Sequence, residues 1–135
     1  MQSSTDTEMD IRHVAIVYVR CGGAEIWQKG IELKDGVWQE RNYRGISETL
    51  HEGETAFRAA IRGLFEELGV VAGAGQVWAL GLQPPEKRVS PSTGRETLYY
   101  KREFSITLPI SEKEKIPLRV AEDKGTLVLE WRAVG

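Results

Sequence analysis

Charged side chains recur at helical spacing between positions 54 and 67 of this 135-residue sequence. Five of them fall outside the apolar stripe of the same segment: Glu54, Arg58, Arg62, Glu66 and Glu67. Carboxylates clustered on a helix can hold divalent cations, which neutralise multiply charged phosphates. The same pattern is also typical of a solvent-exposed face with ion pairs, and the residue types alone favour this second interpretation.

An amphipathic helix over Gly53 to Val70 is the element that must position these charges. Its apolar residues fall on one stripe: Phe57, Ala60, Ile61, Leu64 and Leu68. We expect Gly53 to open the helix and Glu54 to lie in the first turn, where the helix dipole favours an acid. Gly69 is expected to end the helix, since Gly commonly follows the last helical residue.

The segment resembles the Nudix box, whose pattern is Gly, five residues, Glu, seven residues, Arg-Glu, an apolar residue, any residue, Glu-Glu, any residue, Gly and an apolar residue. Seven positions fit this register: Glu54, Arg62, Leu64, Glu66, Glu67, Gly69 and Val70. Two positions depart from it. The leading Gly is Glu48, unless Gly45 takes its place across a longer loop, and the Glu that should follow Arg62 is Gly63.

The resemblance implies a fold, a reaction and a set of site residues. The fold is an α/β/α sandwich with a mixed β-sheet. The reaction is the hydrolysis of nucleoside diphosphates linked to another moiety, with Mg²⁺ or Mn²⁺ as the cofactor. By the same resemblance, Glu66 and Glu67 are the catalytic, metal-binding pair. Arg62 would brace these carboxylates, and Glu54 would tie the preceding loop to Arg62.

Gly63 removes one of the three carboxylates that the family gathers on this helical face, so three functions stay open. The first is a degenerate Nudix-like domain that binds a nucleoside-diphosphate-type or other phosphorylated ligand, with weak or absent hydrolysis. The second is an active Mg²⁺-dependent pyrophosphohydrolase that uses a carboxylate from outside the box. The third is a protein-interaction module on the same scaffold.

Three carboxylates outside the box are candidates for the missing one: Glu48, Glu103 and Glu122. A Gly costs a helix interior about 1 kcal/mol relative to Ala. Its presence at position 63 indicates close packing against backbone or ligand, or relaxation after loss of catalysis. We expect Gly63→Glu to add a third carboxylate, and therefore to raise metal affinity and helix stability together.

Length and composition predict one globular domain. We expect residues 1–10 to be a disordered N-terminus and residues 11–135 to form a single Nudix-like domain. Eighteen basic and twenty acidic residues give a net charge of −2, which provides no general attraction to DNA or to a membrane. The expected partner is a phosphorylated, nucleotide-like small molecule. Because Cys21 is the only cysteine and no signal peptide is evident, we expect a cytoplasmic protein.

Alternating patterns and turn residues predict the strands. A tight turn at Gly22-Gly23 should join the first two strands into a hairpin. We expect extended structure over these segments: Val14 to Val19, Glu25 to Leu33, short pieces within Val37 to Thr49, Gln76 to Gln83, Leu98 to Leu108, and Leu127 to Val134. The long strand near Leu98 to Leu108 should be central in the sheet.

Substrate-binding residues are predicted around this long strand. The face that carries Tyr100 and Arg102 is mostly apolar and should face the core, so Arg102 requires either an anionic ligand or a structural carboxylate. An aperiodic loop from Pro84 to Arg95 precedes the strand, and loops of this length are often functional. We assign substrate binding to Arg88, Tyr100 and Arg102.

No periodic helix follows the last predicted strand, whereas Nudix domains commonly close with a helix packed over the sheet. The chain is therefore expected to lack the usual C-terminal helix. Bare apolar faces and open sheet edges tend to find partners. For that reason we expect a homodimer.

Overall fold

Nine strands and one α-helix make up most of the part of the chain that the structure describes. The computed structural model describes residues 9–90 and 93–134. Of the segment predicted to be disordered, residues 1–8 lie outside the described residues, and Asp10 begins the first strand. The elements follow in this order: β1 (Asp10–Cys21), β2 (Ala24–Leu33), β3 (Trp38–Arg44), β4 (Ile46–Thr49), α1 (Ala56–Leu68), β5 (Val77–Leu82), β6 (Glu86–Val89), β7 (Glu96–Leu108), a 3₁₀ helix (Ile110–Lys115), β8 (Arg119–Glu122) and β9 (Gly125–Ala133).

Strand β1 lies inside a mixed sheet with the strand order β5-β7-β1-β2-β9-β8. It runs parallel to β7, from Asp10 opposite Thr97 to Cys21 opposite Leu108. Its pairings with β2 and β4 are antiparallel. The predicted mixed sheet is confirmed, and the long strand β7 lies inside it between β5 and β1.

The predicted loop before the long strand differs from the structure. The loop expected from Pro84 to Arg95 contains β6, which pairs antiparallel with β7, while residues 91–92 of that loop lie outside the described part. Four mostly exposed residues are too short a run for periodicity to reveal a strand. The charged segment from Ser111 to Lys115 belongs to the 3₁₀ helix.

The hydrophobic core lies between α1 and one face of the sheet. Leu64 of α1 and Val17 and Val19 of β1 are almost completely buried there. Phe104 and Ile106 of β7 belong to the same cluster. Burying one such side chain contributes about 1.5–3 kcal/mol, so these contacts fix α1 against the sheet.

The opposite face of the sheet has no helical layer within the described residues. In residues 9–90 and 93–134 α1 is the only α-helix, which agrees with the predicted lack of a C-terminal helix. No helix in this part of the chain is long and apolar enough to cross a membrane. Polar side chains of the sheet are therefore accessible from that side.

Thr55 and Gly69 set the two ends of α1. The Thr55 hydroxyl accepts a hydrogen bond from the backbone N–H of Arg58 at 3.1 Å, as expected of an N-cap. Gly69 has a left-handed φ of 70°, and the predicted C-terminal end is confirmed. The predicted start is wrong, because Glu54 precedes the capping residue and does not lie in the first turn.

Gly45 lets the chain change partners between β3 and β4. Strand β3 pairs with β2, whereas β4 pairs with β1. Gly45 lies between them with a φ of 78°, and a Cβ added there would lie 2.5 Å from the backbone oxygen of Val17. The turn directs β4, and with it Glu48, towards α1.

Gly45→Ala is expected to destabilise the fold more than Gly53→Ala does. Both glycines have a φ of 78°, so each substitution meets a left-handed strain of about 1–2 kcal/mol. No described atom lies within 4 Å of a Cβ added at Gly53. At Gly45 the contact with the Val17 backbone should add about 1–3 kcal/mol. Urea unfolding measures the difference, and equal losses would contradict this account of the turn.

Candidate functional site

Glu67 is a buried carboxylate on α1. It is 7% exposed, and its Oε2 atom has no hydrogen-bond partner among the described residues. Burial, followed by the negative charges of Glu48 and Glu122, raises the pKa of Glu67 to about 9. A hydrogen bond with Glu122 contributes to this shift, because it requires a proton on one of the two carboxyl groups. The apolar stripe in the sequence did not predict this burial.

Three elements bring carboxylates to one cleft, which we name the carboxylate cleft. Helix α1 contributes Glu66 and Glu67, β4 contributes Glu48, and the end of β8 contributes Glu122. The cleft has a volume of about 430 Å³ and is lined by Arg41, Glu48, Glu66, Glu67, Val120, Ala121, Glu122, Asp123 and Lys124. Two of the three carboxylates proposed to replace the missing one, Glu48 and Glu122, therefore lie beside Glu67.

Glu66 lies in a different environment from its neighbour in the chain. Its side chain is 51% exposed, and its Oε1 atom lies 3.4 Å from Nη1 of Arg62. Adjacent residues of a helix point roughly 100° apart, so Glu67 turns towards the sheet while Glu66 stays at the mouth of the cleft. The predicted metal-binding pair thus consists of one buried and one solvated carboxylate.

Arg62 connects α1 to β4 and to the loop before the helix. Its Nε and Nη2 atoms donate to both carboxylate oxygens of Glu54, at 2.9 and 3.0 Å. Nη1 donates to Oε2 of Glu48 at 2.7 Å, and Nη2 also donates to the backbone oxygen of Thr49 at 2.9 Å. Glu54 in turn accepts a hydrogen bond from the backbone N–H of His51 at 3.0 Å. These charge-assisted bonds fix the position of Glu48.

Gly63 of α1 faces the side chain of Glu48. A Cβ at position 63 would lie 2.4 Å from Cγ of Glu48. The expectation that Gly63→Glu simply adds a third carboxylate is therefore wrong, because Glu48 already occupies the space. Burial raises the pKa of Glu48, and the positive charge of Arg62 opposes this rise.

A second and larger cleft, which we name the basic cleft, adjoins the carboxylate cleft. It has a volume of about 780 Å³ and shares Arg41, Glu48 and Lys124 with the carboxylate cleft. Six cationic residues line it: Arg12, Arg41, Arg44, Arg88, Lys101 and Lys124. In a chain whose net charge is −2, this is a local concentration of positive charge that suits an anionic ligand.

The alternation of β7 decides which predicted substrate residues reach the basic cleft. Tyr99 and Lys101 of β7 line it, together with Arg88 of β6. Tyr100 and Arg102 line a separate pocket of about 170 Å³ instead. Successive strand residues point to opposite faces of a sheet. Of the residues assigned to substrate binding, Arg88 therefore lines the basic cleft, whereas Tyr100 and Arg102 do not, and their role stays a prediction.

Arg102 is exposed, and it forms no ion pair within the part of the chain that the structure describes. The predicted core face of β7 is fully buried only from Phe104 onwards, which explains how a charge is tolerated at position 102. Glu103, the third candidate carboxylate, accepts hydrogen bonds from the hydroxyl of Tyr18 and from Nε2 of Gln83. It does not line the carboxylate cleft.

Aromatic rings contact Arg88 in the basic cleft. Its guanidinium carbon lies 5.1 Å from the ring centre of Tyr99 and 5.9 Å from that of Tyr43. Nε of Arg88 donates to Oε2 of Glu86 at 2.9 Å, and Lys101 pairs with the same carboxylate. Tyr43, Tyr99 and Lys101 were not among the predicted site residues, although the alternation of β7 was a signal for the last two.

Solved structures of several proteins share this architecture. A NUDIX hydrolase from Nitrosomonas europaea is 13% identical with a TM-score of 0.55, and the match covers 93% of this chain and 73% of that one. A MutT protein from Bacillus halodurans is 14% identical with a TM-score of 0.55, and the match covers 90% of this chain and 68% of that one. The E. coli dihydroneopterin triphosphate pyrophosphohydrolase is 16% identical with a TM-score of 0.52, and the match covers 93% of this chain and 84% of that one. This chain has a Nudix-like fold.

The structural likeness stands by itself, since neither protein-family models nor curated protein sequences match the chain. In this Nudix-like fold, the segment that resembles the Nudix box forms α1 and the turns on either side of it. The carboxylate cleft lies along that helix, and the basic cleft extends from it across the sheet.

Glu67→Gln is expected to stabilise the protein above neutral pH when divalent cations are absent. The pKa of Glu67 is raised from 4.5 to about 9, so the stability associated with its protonated form is complete below pH 4.5 and is lost as the pH rises towards 9. Gln stays neutral throughout this range. The variant should therefore be more stable than the wild type by roughly 1–3 kcal/mol at pH 8.

The measurement is denaturant unfolding at pH 5 and pH 8 in the presence of a chelator. Glu66→Gln is the matched control, because its half-exposed carboxylate gives little reason for a change in stability. If the advantage of Glu67→Gln does not grow between pH 5 and pH 8, the assignment of Glu67 as a buried, proton-binding carboxyl is wrong.

Proposed function

We propose that this Nudix-like domain hydrolyses a phosphoanhydride bond in a nucleoside diphosphate derivative, with Mg²⁺ or Mn²⁺ held in the carboxylate cleft. Glu67 carries the proposal. It is a buried carboxylate with one oxygen that lacks a partner among the described residues, and the charges of Glu48 and Glu122 act on it. Such a cluster is unfavourable unless protons or cations neutralise it.

The donor atoms fit a hard divalent cation, because Mg²⁺ and Mn²⁺ bind carboxylate oxygens. No group of three or more metal-ligating side chains in residues 9–90 and 93–134 has metal-binding geometry as it stands. Burial and the charges of Glu48 and Glu122 favour the protonated form of Glu67, so Glu67 must lose its proton to bind a cation. A bound cation would supply the positive charge that polarises the phosphoanhydride and activates water.

Arg41 and Lys124 line both clefts. A phosphate that contacts the metal on one side and the basic residues on the other would lie beside them. Nη1 of Arg41 donates to Oε1 of Gln28 at 3.0 Å, which holds the guanidinium at this border. Arg12 and Lys101 extend the positive lining away from the carboxylates. Cationic side chains at these positions support a ligand with more than one phosphate.

Tyr43 and Tyr99 offer aromatic surface for the other part of the ligand. Both rings line the basic cleft, and stacking of a nucleobase on an aromatic side chain contributes about 1–3 kcal/mol. One structural neighbour is named a dihydroneopterin triphosphate pyrophosphohydrolase. That likeness in fold supports a pyrophosphate bond as the target.

The residues predicted from the box keep their roles in this proposal. Glu67 is the buried metal ligand, and Glu66 is a solvated ligand at the mouth of the cleft. Arg62 and Glu54 are supporting residues, since their mutual hydrogen bonds hold the loop before the helix against α1. Arg88 acts on the substrate side, beside the two tyrosine rings.

Binding of a phosphorylated ligand without hydrolysis is the second candidate function. The raised pKa of Glu67 favours it, because a buried carboxyl group that keeps its proton does not ligate a metal. The basic cleft would then still bind the phosphates. The two candidates differ in whether metal binds at the carboxylate cleft.

Glu67→Gln is expected to lower Mn²⁺ affinity by at least about tenfold, because the cation loses an anionic ligand. Hydrolysis of ADP-ribose or of a dinucleoside tetraphosphate should fall by about 10²-fold or more. Lys101→Ala should instead weaken nucleotide binding about tenfold and leave Mn²⁺ affinity unchanged. Titration calorimetry measures the two affinities, and chromatographic separation of the nucleotide products measures hydrolysis.

Glu114→Gln is the matched control, because Glu114 is exposed on the 3₁₀ helix and lies outside both clefts. Wild-type protein that binds ADP-ribose without Mn²⁺, and never hydrolyses it, would support binding alone. Wild-type protein that binds neither metal nor nucleotide would overturn both candidates and leave the protein-interaction module.

Self-association is a separate part of the proposal. Strand β5 lies at one edge of the sheet, and Trp78, Leu80 and Leu82 on it are each more than half exposed. An open edge with apolar side chains tends to pair with another chain. We expect light scattering at micromolar concentration to give twice the 15.2 kDa mass of the chain. Trp78→Asp should restore the monomer, and a monomeric wild type would rule out the homodimer.

A further inference from the structure

We propose that Glu48 and Gly63 are a matched pair, in which the carboxylate missing from the helix at position 63 is supplied by Glu48 from β4. The steric match follows from the positions of Glu48 and Gly63. The assignment of Glu48 as a metal ligand rests on the proposed function. The two parts can be tested separately.

Glu48 gives the reason for a glycine at position 63. The three atoms nearest to an added Cβ all belong to Glu48: Cγ at 2.4 Å, and Cβ and Cδ at 3.5 Å each. Gly63 lies inside α1 and does not have a positive φ, so the backbone conformation does not require glycine. Because Gly is unfavourable in a helix interior, the space taken by Glu48 is the remaining cause.

Glu48 cannot easily move aside for a side chain at position 63. Its backbone pairs with Ala15 in β1, and its Oε2 atom accepts the 2.7 Å hydrogen bond from Arg62. Arg62 is itself held by both oxygens of Glu54. The side chain of Glu48 is therefore fixed at both ends.

One oxygen of Glu48 is available for a cation. No group in the described residues donates a hydrogen bond to Oε1, whereas Oε2 is bound by Arg62. Glu48 is also the acidic residue that lines both the carboxylate cleft and the basic cleft. A cation held by Glu48 and Glu67 would therefore lie next to the phosphates of a ligand in the basic cleft.

If Glu48 and Gly63 are a matched pair, the effect of a substitution at position 63 depends on the residue at position 48. Gly63→Ala should lower the melting temperature of the wild type, because the added Cβ meets Glu48. In a Glu48→Ala background the same substitution should raise it, because the space is open and Ala favours the helix. Differential scanning calorimetry of the four proteins in the presence of a chelator measures this reversal.

Mn²⁺ titration of the same chain tests the carboxylate itself. Glu48→Gln keeps the shape of the side chain and an oxygen that can accept from Arg62, so the variant should fold as the wild type does. It should nevertheless bind Mn²⁺ at least about tenfold more weakly. Glu48→Ala should lose affinity to the same extent, and the Glu48→Ala/Gly63→Glu double variant should return to within about threefold of the wild type.

The possible failures are distinct. If Gly63→Ala shifts the melting temperature in the same direction in both backgrounds, the matched pair is wrong, whatever the metal results. If wild-type Mn²⁺ binding is present and Glu48→Gln leaves it unchanged, Glu48 is not a ligand, while the proposed function survives. If the wild type binds no Mn²⁺, the proposed function and the ligand role of Glu48 both fail, and the steric pair is judged by calorimetry alone.

Discussion

The guanidinium of Arg62 is the contact on which the arrangement of the carboxylates depends. It reaches from the middle of α1 to Glu54 before the helix, to Glu48 in β4 and to the backbone of Thr49. Arg suits this position because its planar group presents several donors in a fixed geometry. With Arg62 in place, a strand residue and a helix residue that are far apart in sequence share one cleft. A Lys at position 62 offers no such geometry.

Glu66 and Glu67 are adjacent on one helix and have the same side chain, but they lie in very different environments. Glu66 is solvated and lies near the guanidinium of Arg62, whereas Glu67 is buried beside the carboxylates of Glu48 and Glu122. Removal from water and repulsion from like charges both favour the protonated form of Glu67. The core beside Glu67 consists of apolar side chains such as Leu64 and Leu68, which offer no hydrogen bond to its carboxyl group. A carboxyl group in such an unfavourable environment is typical of functional sites.

Periodicity in the sequence was sufficient for the helix and the longer strands, and insufficient for short strands such as β6 and for the faces that meet in the site. The end of α1 at Gly69 and the long strand β7 follow from local signals. The face of β7 that lines the basic cleft depends on what covers each side of the sheet. The sequence does not give this information, so Arg102 on the mostly apolar face was taken for a cleft residue. The contact of Glu48 with Gly63 depends on how β4 crosses towards α1, which no local pattern encodes.

The parallel pairing of β1 with β7 has a consequence for how the molecule forms. It joins position 10 to position 97 and position 21 to position 108, so more than two thirds of the chain must leave the ribosome before the middle of the sheet has both neighbours. Until then, apolar residues of β1 such as Val17 and Val19 have only α1 and the antiparallel strands to cover them. Contacts this distant in sequence slow folding. During synthesis the chain therefore passes through a stage in which β1 has an unpaired edge and exposed apolar residues. Molecular chaperones bind surfaces of this kind.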